Sequence, residues 1–447
     1  MCQEISLYLL CFRLLYVTLS VCFVLMVILN AVLLPTCILE FPQHSSDIVI
    51  RFLNGQWQLA AGLHSTIAVQ TAFADNRSAL SLDVKLFGIS SGNPRSNKDV
   101  FCQFWFHNGS AASSVSAISL KTGRGASVHG KRYQEMLYTC KIAKTSHIPA
   151  AVSIGYYACA PLTTLLPIEM AAARDKVDIG VCVPVVYGNI SSTALIEWIE
   201  LNRILGVAEF NFYVTSSNRN VTSVLRHYEK MGLVRLTMLT PPVPVKDGVA
   251  WCYWCQKLAV IPTLNHCLYS NMHRYKYLLS MDVDEVIIPQ KQDTLMNLIK
   301  QVNPDGTRGG FLFQNGYFFL DLPATPFKDT TLSQLITIKY QHRVKQLSKI
   351  GYSAKTILKP LYCDVLQNHK CMYYSTLKSK VRRKKLHVSM NVPPSTAYLH
   401  HYKKCHLKKQ ECKATMSQTE KDNRTLAFSA ELAKQFTNSL NQIILVN

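Results

Sequence analysis

Acidic residues are scarce in this chain. Of its 447 residues, 27 are Asp or Glu against 48 Lys or Arg, which leaves a formal net charge of +21. An excess of that size excludes an acidic, solvating chain and calls for an anionic partner: nucleic acid, an anionic membrane or a phosphate-bearing ligand. Charged residues of both signs together make up only 17%, while 48% of the chain is apolar, which excludes a disordered polymer and supplies cores for two or three domains. Internal repeats of roughly 20 to 50 residues are absent, so a solenoid or propeller is not expected.

One long uncharged run is present. LLYVTLSVCFVLMVILNAVLL, from Leu14 to Leu34, is long enough as a helix to cross a bilayer core of about 30 Å. A cleaved signal peptide has a shorter apolar region and a small-residue cleavage site. Residues 14–34 are therefore expected to be a transmembrane signal anchor, with residues 1–13 a cytosolic tail. The flanking charges nearly cancel (Glu4 and Arg13 before, Glu40, Asp47 and Arg51 after), so the positive-inside rule does not set the orientation. Acceptor triplets for N-glycosylation at Asn76, Asn108, Asn189, Asn220 and Asn423 all lie beyond the anchor. So do eleven cysteines past residue 100, a usage that suits an oxidising lumen. An odd number leaves one cysteine free, or paired with Cys37 or with another chain. Cys252 and Cys255 form a C-x-x-C, but a second pair at zinc spacing is lacking, so a disulfide is expected there.

Past the anchor, residues 35–72 hold Pro35, Pro42 and polar clusters without a period, and read as a stem. Residues 73–175 alternate in short runs such as SLDVKLFGIS, separated by Gly/Ser/Asn-rich pieces, which predicts a small β-rich accessory module of illegible purpose. From residue 176 to about 430 the rhythm is that of an α/β domain. DIGVCVPVVYG reads as a buried strand, and STALIEWIELNRILG as a helix that stops at Gly206. FNFYVTS, VTSVLRHYEKMG, LVRLTML and YKYLLSM continue the alternation, which calls for a Rossmann-like parallel sheet with helices on both faces. Ligands bind such sheets at the carboxyl ends of strands.

At the end of the fourth of those strands, YKYLLSMDVDEVIIP places Asp282, Asp284 and Glu285 between two greasy flanks. Carboxylates at i and i+2 leaving a strand point the same way, so Asp282 and Asp284 can share one hard cation, Mn²⁺ or Mg²⁺. That cation would bind a diphosphate and offset the charge on a departing nucleoside diphosphate. Without it the two like charges would strain the site, so removing one should leave the apo-domain as stable as before or slightly more so. An EF-hand is excluded, because Val286 stands where a third oxygen ligand belongs. The first motif of haloacid dehalogenase-like phosphohydrolases has a similar order and leaves such a phosphohydrolase as an alternative, although the motif follows three strand–helix units and no convincing acidic pair after a strand lies downstream.

Taken in order, CVPVVYGNISSTALIEWIELNRILGVAEFNFYVTSSNRNVTSVLRHYEKMGLVRL, the Trp-rich stretch with Gln256 and NHCLYSN, YKYLLSMDVDEVIIP and LHHYKKC together resemble glycosyltransferase family 92, over about residues 178–410. The resemblance implies a GT-A fold and metal-dependent transfer of a hexose from a nucleotide-sugar. It also implies a single-pass type II Golgi membrane protein that moves galactose to the core fucose of N-glycans with inversion.

Inversion requires a general base on the acceptor hydroxyl, for which Asp321 in NGYFFLDLP is the candidate. Glu285 would bind the donor sugar or position the metal loop. Tyr187, ending the first strand, suits stacking on the uracil of a UDP-sugar. In AYLHHYKKCH, His401 or His400 would complete the metal shell, with His369 in LQNHKC a rival, and Lys403 would favour phosphate. The basic run KSKVRRKKLH reads as a solvated face, because a lumenal domain does not meet nucleic acid. The reading from another class is a non-catalytic lumenal glycan-binding relative that keeps the fold without turnover.

Overall fold

The computed structural model describes residues 57–446, apart from 63–64, 79–80, 93–99, 107–112, 144–147, 161–162, 172–175, 244–251 and 375–388. The expected cytosolic tail, the anchor at 14–34, Asn108 and the KSKVRRKKLH run lie outside the described residues, as does the stem up to residue 56. Among the described residues, no helix is long and apolar enough to cross a membrane.

Ten strands form the first sheet: β1 (Gln58–Ala61), β2 (Thr66–Asp75), β3 (Ser81–Ser91), β4 (Phe101–Trp105), β5 (Ser113–Ser116), β6 (Ile118–Lys121), β7 (Ala126–Val128), β8 (Lys131–Ala143), β9 (Ala151–Gly155) and β10 (Leu166–Glu169). Its long strands carry β-branched and aromatic residues on faces buried in a core of Val84, Leu86, Phe104, Tyr138 and Ile154. The stem expected to run to residue 72 therefore ends earlier. Gln58–Ala61 already pairs with Thr66–Val69, because these alternating residues have a partner face that a local reading cannot see.

The second sheet begins with β11 (Val177–Val186), buried along almost its whole length, as a strand covered on both faces must be. Helix α1 (Ser192–Ile204) starts at Ser191, whose hydroxyl accepts from the Ala194 N–H. It ends at Gly206, at φ +95°, a conformation that favours glycine. Then come β12 (Glu209–Val214), α2 (Arg219–Lys230), β13 (Val234–Met238), α3 (Tyr253–Lys257), α4 (Val260–Asn271) and β14 (Tyr275–Ser280). These four strands are parallel in the spatial order β13-β12-β11-β14. The order reverses between β11 and β14, and open α/β sheets bind ligands in a crevice at the carboxyl ends of the strands flanking such a switch point.

Beyond β14 the sheet departs from the all-parallel expectation. After β15 (Glu285–Pro289), β16 (Gly310–Phe313), β17 (Asn315–Phe319) and β18 (His342–Val344), strand β19 (Lys355–Leu358) pairs antiparallel with β14, followed by β16. Antiparallel pairing sets the start of β19 beside the end of β14. A hairpin follows, β20 (Cys363–Leu366) and β21 (Cys371–Tyr374), then β22 (Met390–Asn391), β23 (Ala397–Lys403) and β24 (Thr419–Lys421). Strand β23 lies between β15 and β17 in a separate three-stranded sheet. The chain does not end its fold near residue 430: the helix Ser429–Val446 buries Leu432, Phe436 and Ile443 in the same core as α1.

The two sheets share a core. Phe73, Phe87 and Leu137 of the β-rich module pack with Leu264, Leu268 and Tyr269 of α4. Disulfides join Cys102–Cys140, Cys182–Cys267, Cys252–Cys255, Cys363–Cys371 and Cys405–Cys412. Cys159 is disulfide-bonded as well, so the expected odd thiol is not free.

Candidate active site

Asp282 and Asp284 lie in the tight turn that joins β14 to β15, closed by the Glu285 N–H donating to the Asp282 carbonyl at 3.2 Å. Three strands converge on this turn. Strand β19 brings Lys355, β15 begins with Glu285, and β23 sets His401 directly opposite Glu285 in the antiparallel register.

Lys355 is the residue that sequence reading missed. Its side chain is 1% exposed, and its ammonium lies 2.8 Å from Asp282 Oδ2, 3.1 Å from Glu285 Oε2 and 3.2 Å from Asn368 Oδ1. Burial alone would lower its pKa, but the two carboxylates hold it above the usual lysine value. Burial would likewise raise Asp282, yet Lys355, with Lys257 and His401 farther out, brings that carboxyl down to about 2. Burial prevails at Glu285 and pushes it up.

Glu285 is enclosed and acts as a hub. Its Oε2 also accepts from the Asp282 N–H at 3.2 Å, its Oε1 lies 3.4 Å from His401 Nδ1, and its carbonyl accepts from Trp198 Nε1 at 2.6 Å. These contacts tie Glu285 to the carboxylate turn, to Lys355 and to His401.

Asp284, 46% exposed, lies 3.2 Å from His401 Nε2. Burial would lower the pKa of His401, but Glu285 and Asp284 raise it. Asn315 Nδ2 stands 3.0 Å from the other ring nitrogen. On the opposite wall, Tyr187 follows the end of β11, with Lys257 Nζ 5.6 Å and the Tyr253 ring 6.3 Å from its own ring centroid. Burial would lower the pKa of Lys257, but Tyr187 and then Asp282 raise it.

The expected metal trio of Asp282, Asp284 and His401 is not drawn to one point. Among the described residues, the one group of three donors within 4.8 Å of each other is His129, Cys252 and Cys255, and its two sulfurs are joined in a disulfide. Asp282 instead turns to Lys355, which nothing in a local motif foretells. His400 is also corrected. It faces away from His401, as alternation along β23 requires, and is fully buried between Phe318 and Tyr398, whose centroids lie 4.4 and 4.8 Å away. Burial sends its pKa well below the ordinary value.

His369 sits beside Lys355 with Nδ1 2.9 Å from the Ala354 carbonyl, and burial, then Lys355, brings its pKa to about 4. Asp321 is engaged elsewhere: it is exposed and accepts from the Cys405 N–H at 2.7 Å, an anchoring contact in its loop. Lys403 lies two residues past His401, its Nζ 6.0 Å from the centre of the Tyr317 ring.

Comparison with known proteins adds the family. No curated protein matches the chain. Among solved structures, it is similar to the galactosyltransferase LgtC in complex with donor and acceptor sugar analogues, at 12% identity over 41% of this chain and 58% of that one, with a TM-score of 0.18. It is also similar to an active-site mutant of LgtC, at 11% identity over 59% of this chain and 95% of that one, with a TM-score of 0.21. The family described as "Glycosyltransferase family 92" matches residues 177–442, a span that holds the parallel strands, the carboxylate turn, Lys355 and His401. This chain belongs to glycosyltransferase family 92.

Proposed function

We propose that this chain is an inverting, GT-A-type hexosyltransferase that moves galactose from a UDP-sugar to a glycan acceptor, the core fucose of N-glycans, in the Golgi lumen. The observation that carries the reading is the pairing of Asp284 with His401 at the mouth of the switch-point crevice, beside Asp282 and facing Tyr187 and Lys257. An oxygen and an imidazole nitrogen 3.2 Å apart fit adjacent corners of an octahedron, whose edge is about 3.0 Å for bonds of about 2.1 Å. Carboxylate donors suit Mn²⁺ or Mg²⁺. Glu285 behind His401 Nδ1 is the outer carboxylate that orients such a ring.

Asp284 and His401 would hold the cation, with Asp282 at its side. When bound, the cation would stabilise the charge that builds on the leaving diphosphate. Tyr187 would stack on the uracil. Lys257, partly buried and cationic, meets a phosphate from the opposite wall. Lys355 keeps Asp282 ionised while the donor is absent. Exposed Asn76, Asn189, Asn220 and Asn423, together with the disulfides, support a lumenal domain behind the Leu14–Leu34 anchor, in a type II membrane protein.

The test is hydrolysis of a panel of nucleotide-sugars by the chain from residue 37 onward, with and without Mn²⁺. The reading expects Mn²⁺-dependent release of UDP from UDP-galactose above the other donors. Binding of glycans with no turnover of any donor would establish the non-catalytic alternative instead.

A further inference from the structure

The buried ammonium of Lys355 has three N–H donors, and the structure offers it three acceptors. Two are the carboxylates already described; the third is Asn368 Oδ1 at 3.2 Å. Asn368 lies in the short turn between β20 and β21, so the geometry of the Lys355–Asp282 pair depends on where that turn is held. The Cys363–Cys371 disulfide ties the two strands of this ribbon to each other, but a two-stranded ribbon is marginal by itself and the disulfide does not fix its place on the rest of the molecule.

Two sets of contacts hold it. From α4, Asn265 brackets Leu366, donating to its carbonyl at 2.9 Å and accepting from its N–H at 2.8 Å. From the same helix, Tyr269 Oη donates to the Asp364 carbonyl at 3.0 Å. The β-rich module supplies the second set. Arg77 donates to the carbonyls of Leu361 and Cys363 at 3.1 and 3.0 Å and pairs with Asp75 and Asp364 at 2.6 and 2.7 Å. At the tip, Gln367 Nε2 donates to the Thr122 carbonyl at 2.6 Å. Thr122 is itself fixed, since its N–H donates to the Glu135 carbonyl at 3.0 Å while Glu135 Oε2 accepts from the Gly125 N–H at 2.8 Å. The same part of the module packs Ala126 and Val128 against Cys255 and Leu258, beneath the helix that carries Tyr253 and Lys257.

We propose that the β-rich module is a working part of the active site: it holds the turn between β20 and β21 so that Asn368 keeps Lys355 on Asp282, and Gln367 is the positioning residue that transmits the hold. This rests on the reading of Asp282 as an active-site carboxylate. Donor binding draws on Tyr187 and Lys257 across the crevice, so releasing the turn slows the chemical step more than it weakens binding.

The experiment uses the full chain with Gln367→Glu, which keeps the shape and removes the donor, and Gln367→Lys, which restores a donor. Hydrogen exchange over residues 363–374, melting temperature, and kcat and KM for UDP-sugar hydrolysis are measured together. In Gln367→Glu, exchange at the turn is expected to rise about five- to tenfold, the effect of one lost part-buried hydrogen bond. Its kcat should fall about tenfold with KM within about twofold and melting unchanged, and Gln367→Lys should recover most of both. Unchanged exchange, or raised exchange with parental kcat, overturns the proposal. A parent inactive on every donor defeats the active-site reading separately, and the exchange measurement, which needs no substrate, then decides whether the module holds the turn.

Discussion

Changing Asp282 to Asn tests the electrostatics of the site without any ligand. Read from the sequence, the substitution relieves like-charge strain and leaves the apo-protein as stable or more so. The structure reverses that sign. Asp282 Oδ2 is 2.8 Å from a Lys355 ammonium that is 1% exposed, and removing the carboxylate charge strips a buried cation of its shortest partner. Against the effect of burial, Lys355 brings the folded pKa of Asp282 from an ordinary 3.8 to about 2, a shift on the order of 2 kcal/mol at about 1.4 kcal/mol per unit. The carboxylate is 38% exposed, so solvent screens part of this, and about 1–2 kcal/mol is the expected loss in the variant at pH 7. Glu285, 3.1 Å from the same ammonium, limits the damage. The folded value lies below the unfolded one, so this stability is fully present above pH 3.8 and is lost as pH falls towards 2. The gap between parent and variant should be widest at neutral pH and close over that window. Urea-unfolding midpoints for both proteins at pH 7 and near pH 3 measure it. A variant equal to or more stable than the parent at pH 7 would refute the pairing.

Three further outcomes follow from the same geometry. His401→Ala should weaken Mn²⁺-supported UDP-sugar binding by about two orders of magnitude with little change in apo melting, whereas His400→Ala should cost about 2–4 kcal/mol of stability and leave donor affinity intact; calorimetry and unfolding of both variants decide it, and the reverse pattern would reassign the two rings. Lys257→Met should raise the dissociation constant for UDP about tenfold, the loss of one charge-assisted contact, read by titration with UDP; an unchanged constant removes Lys257 from the phosphate site. In sealed microsomes the C-terminal domain should resist added protease and, once detergent opens the vesicles, shift in mobility on N-glycosidase treatment; complete digestion without detergent would overturn the type II topology.

The parts of this molecule legible in the sequence were those written in local periodicity. The strand–helix alternation that opens at Val177 could be read because β11 and β12 are buried on both faces and the first two helices end on glycines, Gly206 and Gly232, at positive φ. Asp282 could be placed at the end of the fourth strand for the same reason. What stayed hidden depends on register between distant segments. Lys355 is an unremarkable residue in SAKTIL until antiparallel pairing sets it beside the end of β14, 73 positions from Asp282. The histidine pair was ambiguous because adjacent residues on a strand face opposite sides, and only the pairing of Glu285 with His401 says which side is the site. The role of the β-rich module was hidden too, because its contacts with the catalytic part, Arg77 to Asp364 and Gln367 to Thr122, link residues hundreds of positions apart.

That network also answers why three carboxylates are tolerated between two apolar flanks. Glu285 and Asp282 are matched by one buried ammonium, and Asp284 by an imidazole whose pKa the carboxylates raise. The charges are thus nearly balanced before any ligand arrives, and the unspent negative charge lies on the two exposed groups, Asp282 at 38% and Asp284 at 46%. On the proposed reading Asp284 and His401 would hold a cation there, and Asp282 would join them only by loosening its hold on Lys355. Lys355 then remains tied to Glu285 and Asn368. The buried cation is never left unpaired, and one ammonium both stabilises the empty site and keeps Asp282 ionised for use.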